Sequence, residues 1–242
     1  MNKIFSLLFL TFFLLASCAG PIVVPTKSAQ EHFGMGKALV EKKDYDKAVL
    51  EFQKAIAADP MHIEARYELG KAYMWGFSNY DLAVPQFQEI LKINPNHPGA
   101  HYELGLIHYL TWDYYNNLAQ TTKAKADPQA AKELQQAIME YEATLKLDPN
   151  FAMAYNNLGV IYSERGDTDK AISMFEKAVK LLPTQYQIHG NLGYLYFKQG
   201  KYSEALLHLK ENIRLSHEHH EQGHQSENII KLIKSLEDKG IK

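Results

Sequence analysis

The sequence has little of the residue types on which several common kinds of small protein depend. It contains a single cysteine among 242 residues, which excludes an intramolecular disulfide and a zinc site built from several cysteines. It has only 14 glycines and 9 prolines, so a β-sandwich with many turns is disfavoured and long helices are favoured. Its formal net charge is −2, so no basic excess points to nucleic acid as a partner.

An apolar run lies near the N-terminus, whereas the chain as a whole has the composition of a globular protein. Hydrophobic residues make up 46% of the sequence and charged residues 22%. The run extends from Ile4 to Leu15 and is broken only by Ser6 and Thr11. A bilayer-spanning helix needs about 20 apolar residues, so this run is too short to span. It follows Lys3 and fits the hydrophobic region of a signal peptide.

The only cysteine follows this run, in the sequence Leu15-Ala16-Ser17-Cys18. That sequence resembles the lipobox of bacterial lipoproteins. The resemblance implies that residues 1–17 are a signal peptide and that Cys18 is lipidated, with acyl chains such as palmitate entering the bilayer. An ordinary signal peptide with an incidental cysteine and an uncleaved anchor are the alternatives. Residue 19 is Ala and not Asp, which by the Gram-negative sorting rule implies the outer membrane, facing the periplasm. We interpret residues 18–28 as a lipidated tether.

A period of about 34 residues organises the rest of the chain. A hydrophobic residue followed by glycine recurs five times, and the glycines are 34, 35, 54 and 34 residues apart. Four of these pairs are followed by an alanine, an aromatic residue four positions later, and then a proline. The glycines are Gly36, Gly70, Gly105, Gly159 and Gly193, and the prolines are Pro60, Pro95, Pro149 and Pro183.

This spacing resembles the tetratricopeptide repeat (TPR), which carries a W-x₂-L-G-x₂-Y…A-x₃-F…P pattern. The fourth copy follows that pattern most fully, through Leu158-Gly159, Tyr162, Ala171, Phe175 and Pro183. The resemblance implies an all-α fold, a TPR α-solenoid of about five helix hairpins with a C-terminal capping helix. The glycine lets the second helix approach closely, the alanine accepts the neighbouring aromatic, and the proline ends the hairpin. The predicted repeats are 29–62, 63–97, 98–151, 152–185 and 186–219.

The third repeat carries 20 extra residues between Gly105 and Ala137. They include Trp112, Tyr114 and Tyr115, and Asp127-Pro128 near their end is a helix-start signal. We expect one helix to run to about Lys123 and the next to begin at Pro128. Both would project two or three turns beyond their neighbours as a spur. The spur is either a structural elaboration or a surface that docks a partner.

The last repeat departs from the pattern because His217 stands where proline is expected. Residues 220–242 are predicted to be a connector and the capping helix, with Ser226 as its N-cap. The connector begins with His220-Glu221-Gln222-Gly223-His224, which matches the H-E-x-x-H zinc-protease motif formally. No protease domain precedes it, because that part of the chain forms repeats. We therefore interpret the surrounding histidine cluster as a solvated connector and predict no metal site.

The face of each first helix next to its core stripe lines the concave groove in TPR families. In this sequence that face is aromatic and sparsely charged. Asn157 and Asn191 both directly precede a Leu-Gly pair, which resembles the asparagine ladders that hold an extended peptide backbone. The candidate peptide-binding residues are Tyr67, Lys71, Tyr102, Asn157, Asn191 and Tyr194.

The function predicted from these features is that of a membrane-anchored TPR adaptor in the bacterial cell envelope. It would recruit another envelope protein or an extended peptide segment, and it resembles in architecture the small TPR lipoproteins that assist pilus, secretion or cell-wall machinery. We predict no enzymatic activity and no cofactor, because no nucleophile elbow, P-loop or dinucleotide fingerprint occurs, and no nucleic-acid partner, because the chain has no basic excess. A metal-handling or metalloprotease-like lipoprotein and a self-assembling structural TPR protein are the alternatives.

Overall fold

The computed structural model describes residues 27–122, 127–218 and 224–241. These segments contain eleven α-helices and no strand. The helices are α1 (Ala29–Glu41), α2 (Tyr45–Ala58), α3 (Ile63–Phe77), α4 (Tyr80–Ile93), α5 (Pro98–Thr122), α6 (Pro128–Leu147), α7 (Ala152–Glu164), α8 (Thr168–Leu181), α9 (Tyr186–Lys198), α10 (Tyr202–Glu218) and α11 (His224–Glu237). None of the helices in the described segments is long and apolar enough to cross a membrane. The predicted signal peptide and Cys18 lie outside the described residues.

Consecutive helices pack as hairpins, α1 with α2, α3 with α4, α5 with α6, α7 with α8, and α9 with α10. The chain divides after His62 into two compact units, one with α1 and α2 and one with α3 to α11. In the second unit each hairpin packs on the next through the second helix of one and the first helix of the other. The predicted all-α helix-hairpin architecture is confirmed.

The first unit is a single hairpin with a well-formed start. Ser28 caps α1: its hydroxyl accepts a hydrogen bond from the backbone N–H of Glu31, and the Glu31 carboxylate accepts one from the backbone N–H of Ser28. Inside the hairpin, the Phe52 ring lies so close to Gly36 that a Cβ there would be 2.4 Å from Phe52 Cε1. Gly36 is required at this position because any side chain would displace the ring.

The hairpins of the second unit use the same contact between glycine and ring. A Cβ added at Gly159 would be 2.8 Å from Phe175 Cδ1. Gly70 with Phe87 and Gly105 with Tyr141 repeat the arrangement at 2.6 Å and 3.0 Å. The predicted close approach of the two helices is present, but it is the glycine that receives the aromatic ring. In the fifth hairpin Leu209 takes the place of the ring, 2.8 Å from a Cβ at Gly193.

The prolines set where the second helices end. The helices α2, α4, α6 and α8 each stop two residues before a proline, because the residue before a proline is disfavoured in the helical region. The fifth hairpin has His217 in place of a proline, and α10 continues to Glu218. The closing helix α11 begins at His224, so the prediction that Ser226 is its N-cap is wrong.

The extra residues of the third hairpin lengthen both of its helices. The helix α5 has 25 residues and α6 has 20, and the predicted restart at Pro128 is confirmed. The Asp127 carboxylate accepts a hydrogen bond from the backbone N–H of Gln129 at 2.8 Å and caps α6. We call the outer part of this hairpin the spur; it consists of α5 after His108 and α6 before Glu133. Its Tyr114 side chain is 64% exposed, so the spur does not bury all of its own aromatic surface.

Candidate functional site

The candidate peptide-binding residues lie on one strip of the first helices of the second unit. We call this strip the groove face, and it consists of the positions three and two residues before, and one and four residues after, the recurrent glycine of α3, α5, α7 and α9. The repeat places the same positions at the same helical phase in each of these helices. The side chains at these positions, and their contacts, differ from helix to helix.

At the α3 end, Tyr67 links two first helices. Its hydroxyl donates a hydrogen bond to Glu103 Oε1 on α5 at 2.9 Å. The Lys71 ammonium lies 5.3 Å from the centre of the Tyr67 ring and 3.3 Å from a carboxylate oxygen of Glu68. Both candidates on α3 are thus engaged within the protein.

Glu103 is the most deeply buried carboxylate of the groove face. It is only 5% exposed, and its Oε2 atom has no hydrogen-bond partner among the described residues. Burial raises the pKa of the Glu103 carboxyl, since removal from water penalises the charged form; the Tyr67 hydrogen bond acts in the opposite direction. The same burial, together with the Glu103 charge, raises the pKa of the Tyr67 hydroxyl.

Between α5 and α7, Asn157 is the centre of a hydrogen-bonded cluster. Its side-chain nitrogen donates to the Tyr141 hydroxyl at 3.0 Å and to the Tyr102 hydroxyl at 3.4 Å. Its side-chain oxygen accepts from the Asn156 amide at 3.1 Å. Both donors of this amide are therefore used internally. One acceptor site of Asn157 Oδ1 remains for a partner, while Tyr102 packs against Phe151 with ring centres 4.8 Å apart.

A second tyrosine of α5 repeats this kind of link. The Tyr109 hydroxyl donates to Glu164 Oε1 on α7 at 3.3 Å. Burial raises the pKa of the Glu164 carboxyl. Together with the Tyr67 and Tyr102 contacts, this bond joins consecutive first helices through tyrosine hydroxyls on the groove face.

The α9 end of the groove face is different, because its side chains are open. Asn191 is exposed and Tyr194, one helical turn later, is 49% exposed. The Lys198 ammonium lies 4.7 Å from the centre of the Tyr194 ring. A pocket of about 380 Å³ opens beside Tyr194. Its lining comes from α9, α10 and α11 and consists of Tyr194, Leu209, Asn228, Ile229, Lys231, Leu232 and Ser235.

The structure thus separates the six candidates into two groups. Tyr67, Lys71, Tyr102 and Asn157 are partly buried and contact other side chains of the groove face or of the core, whereas Asn191 and Tyr194 are exposed. The sequence interpretation overlooked Glu103, although a signal for it exists. Glu103 directly precedes a Leu-Gly pair, as Asn157 and Asn191 do.

Most of the C-terminal histidine cluster lies outside the described residues, which omit 219–223. Within the described cluster, His217 is exposed near the end of α10, and His224 is the first residue of α11. The described segments contain no group of three or more His, Cys, Asp or Glu side chains arranged to hold a metal ion.

Four models of TPR sequence families match the chain. The "TPR repeat" model matches residues 36–74 and 130–166, and three "Tetratricopeptide repeat" models match 75–131, 152–185 and 174–206. These ranges follow one another without a gap from residue 36 to residue 206. The chain is a tetratricopeptide-repeat protein. A comparison with curated protein sequences gives no match.

Solved structures of other TPR proteins resemble this one in fold. PilF of Pseudomonas aeruginosa has a TM-score of 0.70 and 17% identity, over 88% of this chain and 86% of its own. MamA of Desulfovibrio magneticus has a TM-score of 0.60 and 22% identity, over 78% of this chain and 96% of its own. YrrB, described as a TPR protein with an unusual peptide-binding site, has a TM-score of 0.56 and 18% identity, over 84% of this chain and 92% of its own. At these identities the likeness concerns the TPR fold.

Proposed function

We propose that this TPR protein is an adaptor that binds an extended segment of another cell-envelope protein along its groove face. The observation that supports this most is the pair of exposed side chains on α9, Asn191 and Tyr194. An amide can pair with both the N–H and the C=O of an extended backbone, and a tyrosine supplies a large contact area at low conformational cost. YrrB provides a precedent for a peptide site on this fold.

We further propose that the adaptor is held at the outer membrane, facing the periplasm, by acyl chains on Cys18. The support for this is the sequence Leu15-Ala16-Ser17-Cys18 after an apolar run. Several acyl chains give stable anchoring, since each buried CH₂ contributes about 0.8 kcal/mol. The expected result is that Cys18→Ala abolishes acyl labelling and signal-peptide removal, while Thr26→Ala, in the tether, changes neither. Normal processing and membrane fractionation of Cys18→Ala would contradict the anchor.

Partner capture from membranes, with the anchor intact, tests the adaptor proposal. We expect Asn191→Ala combined with Tyr194→Ala to weaken capture at least tenfold. This corresponds to a loss of at least about 1.4 kcal/mol of binding free energy. Leu207→Ala is the matched control, since Leu207 is 67% exposed on α10 and lies outside the groove face. Circular dichroism should show that all variants remain folded.

The spur is the alternative binding surface, and the same capture experiment distinguishes it from the groove face. Trp112 is half-buried with its ring 5.5 Å from that of Tyr109, and Tyr115 packs edge-on against the exposed Tyr114 at 5.7 Å. If Trp112→Ala with Tyr115→Ala abolishes capture while the α9 double variant captures normally, the recognition surface is the spur. The assignment of binding to the groove face would then be wrong.

A further inference from the structure

We propose that the pocket beside Tyr194 receives an apolar side chain of the partner segment and that acidic residues flank this side chain in the partner. The inference rests on the proposed function and specifies the chemistry of the segment that the groove face binds. Three features carry it: the shape of the pocket, its position next to Asn191, and the charges at its mouth.

The pocket exists because α11 packs on the last hairpin without covering all of it. Leu236 of α11 is completely buried, and Ile229 approaches α9 at Gly190, where an added Cβ would be 3.7 Å from Ile229 Cδ1. Tyr194 lies one turn further along α9 and projects past this contact. The pocket bounded by Tyr194, Ile229 and Leu209 has a volume of about 380 Å³. This lies within the range of roughly 300–1,000 Å³ that is usual for ligand pockets.

The chemistry of the lining favours an apolar group. Tyr194, Leu209, Ile229 and Leu232 supply four of its seven residues, and none of the seven is acidic. The pocket continues the groove face, because Asn191 and Tyr194 are three residues apart on one helix and so share a face. An extended segment held at its backbone by Asn191 can therefore place a side chain beside Tyr194.

The charge at the mouth of the pocket is positive. Lys198 lies over the Tyr194 ring at 4.7 Å, and Lys231 belongs to the lining. Neither lysine forms an ion pair with a carboxylate among the described residues, although Lys210 of α10 pairs with Glu237 at 2.7 Å. Asp169, in the first turn of α8, accepts a hydrogen bond from Gln199 and forms no ion pair with Lys198.

Lys198 and Lys231, two cations without an ion pair beside an apolar pocket, favour a partner segment that carries negative charge next to its apolar side chain. Complementary charge across an interface stabilises the right partner and disfavours one of the same sign. In an extended segment, residues two apart point to the same side and lie about 7 Å from each other. The matching segment thus has a leucine-like residue with acidic residues two positions before and after it.

Fluorescence anisotropy with three labelled peptides and the full-length protein in detergent tests this. The first peptide is Gly-Asp-Ser-Leu-Ser-Asp-Gly, the second has serine in place of leucine, and the third has lysine in place of both aspartates. We expect the first to bind at least tenfold more tightly than either of the others, and its affinity to fall as salt is added. Equal binding of the leucine and serine peptides, or no binding of any, overturns the inference.

Variants of the protein separate charge from shape. Lys198→Glu with Lys231→Glu should reverse the preference, so that the lysine peptide binds more tightly than the aspartate peptide. Lys234→Glu is the matched control, because Lys234 is exposed on α11 and does not line the pocket. Ser235→Trp should fill the pocket and remove the advantage of leucine. An unchanged preference in the double lysine variant contradicts the proposal, whether or not Ser235→Trp folds.

The competing outcomes are distinguishable. If the serine peptide binds as well as the leucine peptide and Asn191→Ala weakens both, the groove face binds backbone only: the proposed function stands and the pocket inference fails. If the α9 double variant captures the natural partner normally, the proposed function fails instead. If light scattering shows a dimer that Ser235→Trp dissociates, a second copy of the chain occupies the pocket, and this too overturns the inference.

Discussion

At the scale of single residues, the contact between a glycine and an aromatic ring in the first four hairpins constrains the sequence most tightly. Phe175 is 1% exposed and cannot move away from a side chain at Gly159. We expect Gly159→Leu to lower the free energy of unfolding by about 1–3 kcal/mol, as overpacking does. Gly34→Leu is the matched control, since nothing beyond its chain neighbours and the backbone of its own helix lies within 4 Å of a Cβ at this glycine. Equal melting temperatures for the two variants would show that the ring does not occupy the glycine site.

The buried carboxyl of Glu103 makes a second prediction at this scale. Burial raises its pKa above the reference value of 4.5, so its contribution to stability falls as the pH rises above that value. We expect Glu103→Gln, which keeps an acceptor for the Tyr67 hydroxyl, to raise the melting temperature at neutral pH and to lose this advantage in acid.

Glu68→Gln is the control, because it removes a carboxylate that pairs with Lys71 on the same face. It should not raise the melting temperature at neutral pH. A Glu103→Gln variant whose stability follows that of the wild type at every pH would show that this carboxyl is not stabilised in its neutral form.

At the scale of helix hairpins, one pair of facing side chains distinguishes the last repeat from the first and the third. In the first hairpin His32 Nδ1 lies 2.6 Å from Glu51, and in the third His101 Nδ1 lies 2.6 Å from Glu140. In the fifth hairpin a second histidine takes the place of the acid, and His189 Nδ1 lies 3.0 Å from His208 Nδ1. A protonated histidine is attracted by a carboxylate and repelled by another protonated histidine.

The tautomers of this pair follow from its surroundings. His189 is buried, and its Nε2–H donates to the Pro183 carbonyl at 3.0 Å. Its Nδ1 must therefore accept the proton of His208 Nδ1 when both rings are neutral. Burial and the neighbouring His189 lower the pKa of His208, while Glu176 and Glu211 act to raise it. The Tyr196 ring stacks on His208, with ring centres 5.7 Å apart.

We expect the fifth hairpin to lose stability as the pH falls below the reference value of 6.5 and through the lowered pKa of His208. His208→Glu should reverse this dependence, so that the fifth hairpin gains stability as the pH falls, because the substitution recreates the His–Glu pair of the first and third hairpins. The protection factors of the α9 and α10 amides, which correct hydrogen exchange for its slower intrinsic rate in acid, measure this as a function of pH. His217→Glu, at an exposed position of α10, is the control, and a wild-type hairpin whose protection factors do not fall in acid would contradict the prediction.

The repeat period of the sequence predicts the structural features that recur in every hairpin, but it does not predict those that occur only once. The hairpins, the ends of the second helices before proline and the start of α6 all follow from local signals. The start of α11 does not, since without a proline α10 runs on and the connector lacks a pattern. The pocket depends on how α11 lies against α9, and the link from Tyr67 to Glu103 depends on how consecutive hairpins are rotated. Neither geometry is encoded in the spacing of one repeat.

At the scale of the whole molecule, the second unit combines internally bonded first helices with an open end. The hydroxyls of Tyr67, Tyr102 and Tyr109 join α3 to α5 and α5 to α7, whereas Asn191 on α9 remains exposed. Two asparagines that look equivalent in the sequence therefore have different roles. Asn157 holds neighbouring repeats together, whereas the Asn191 side chain is exposed.

This difference predicts opposite results for two matched substitutions. Asn157→Ala leaves the hydroxyl of Tyr141, whose side chain is completely buried, without its amide partner. An unsatisfied buried group costs about 1–3 kcal/mol, and coupling between neighbouring repeats should spread the effect into α5 and α7. We expect Asn157→Ala to lower the melting temperature and Asn191→Ala to leave it unchanged, while partner capture well below melting shows the larger loss for Asn191→Ala. Equal losses of capture in both variants, with equal stability, would contradict this difference. They would support the asparagine ladder that the sequence suggests, in which Asn157 and Asn191 both bind the partner.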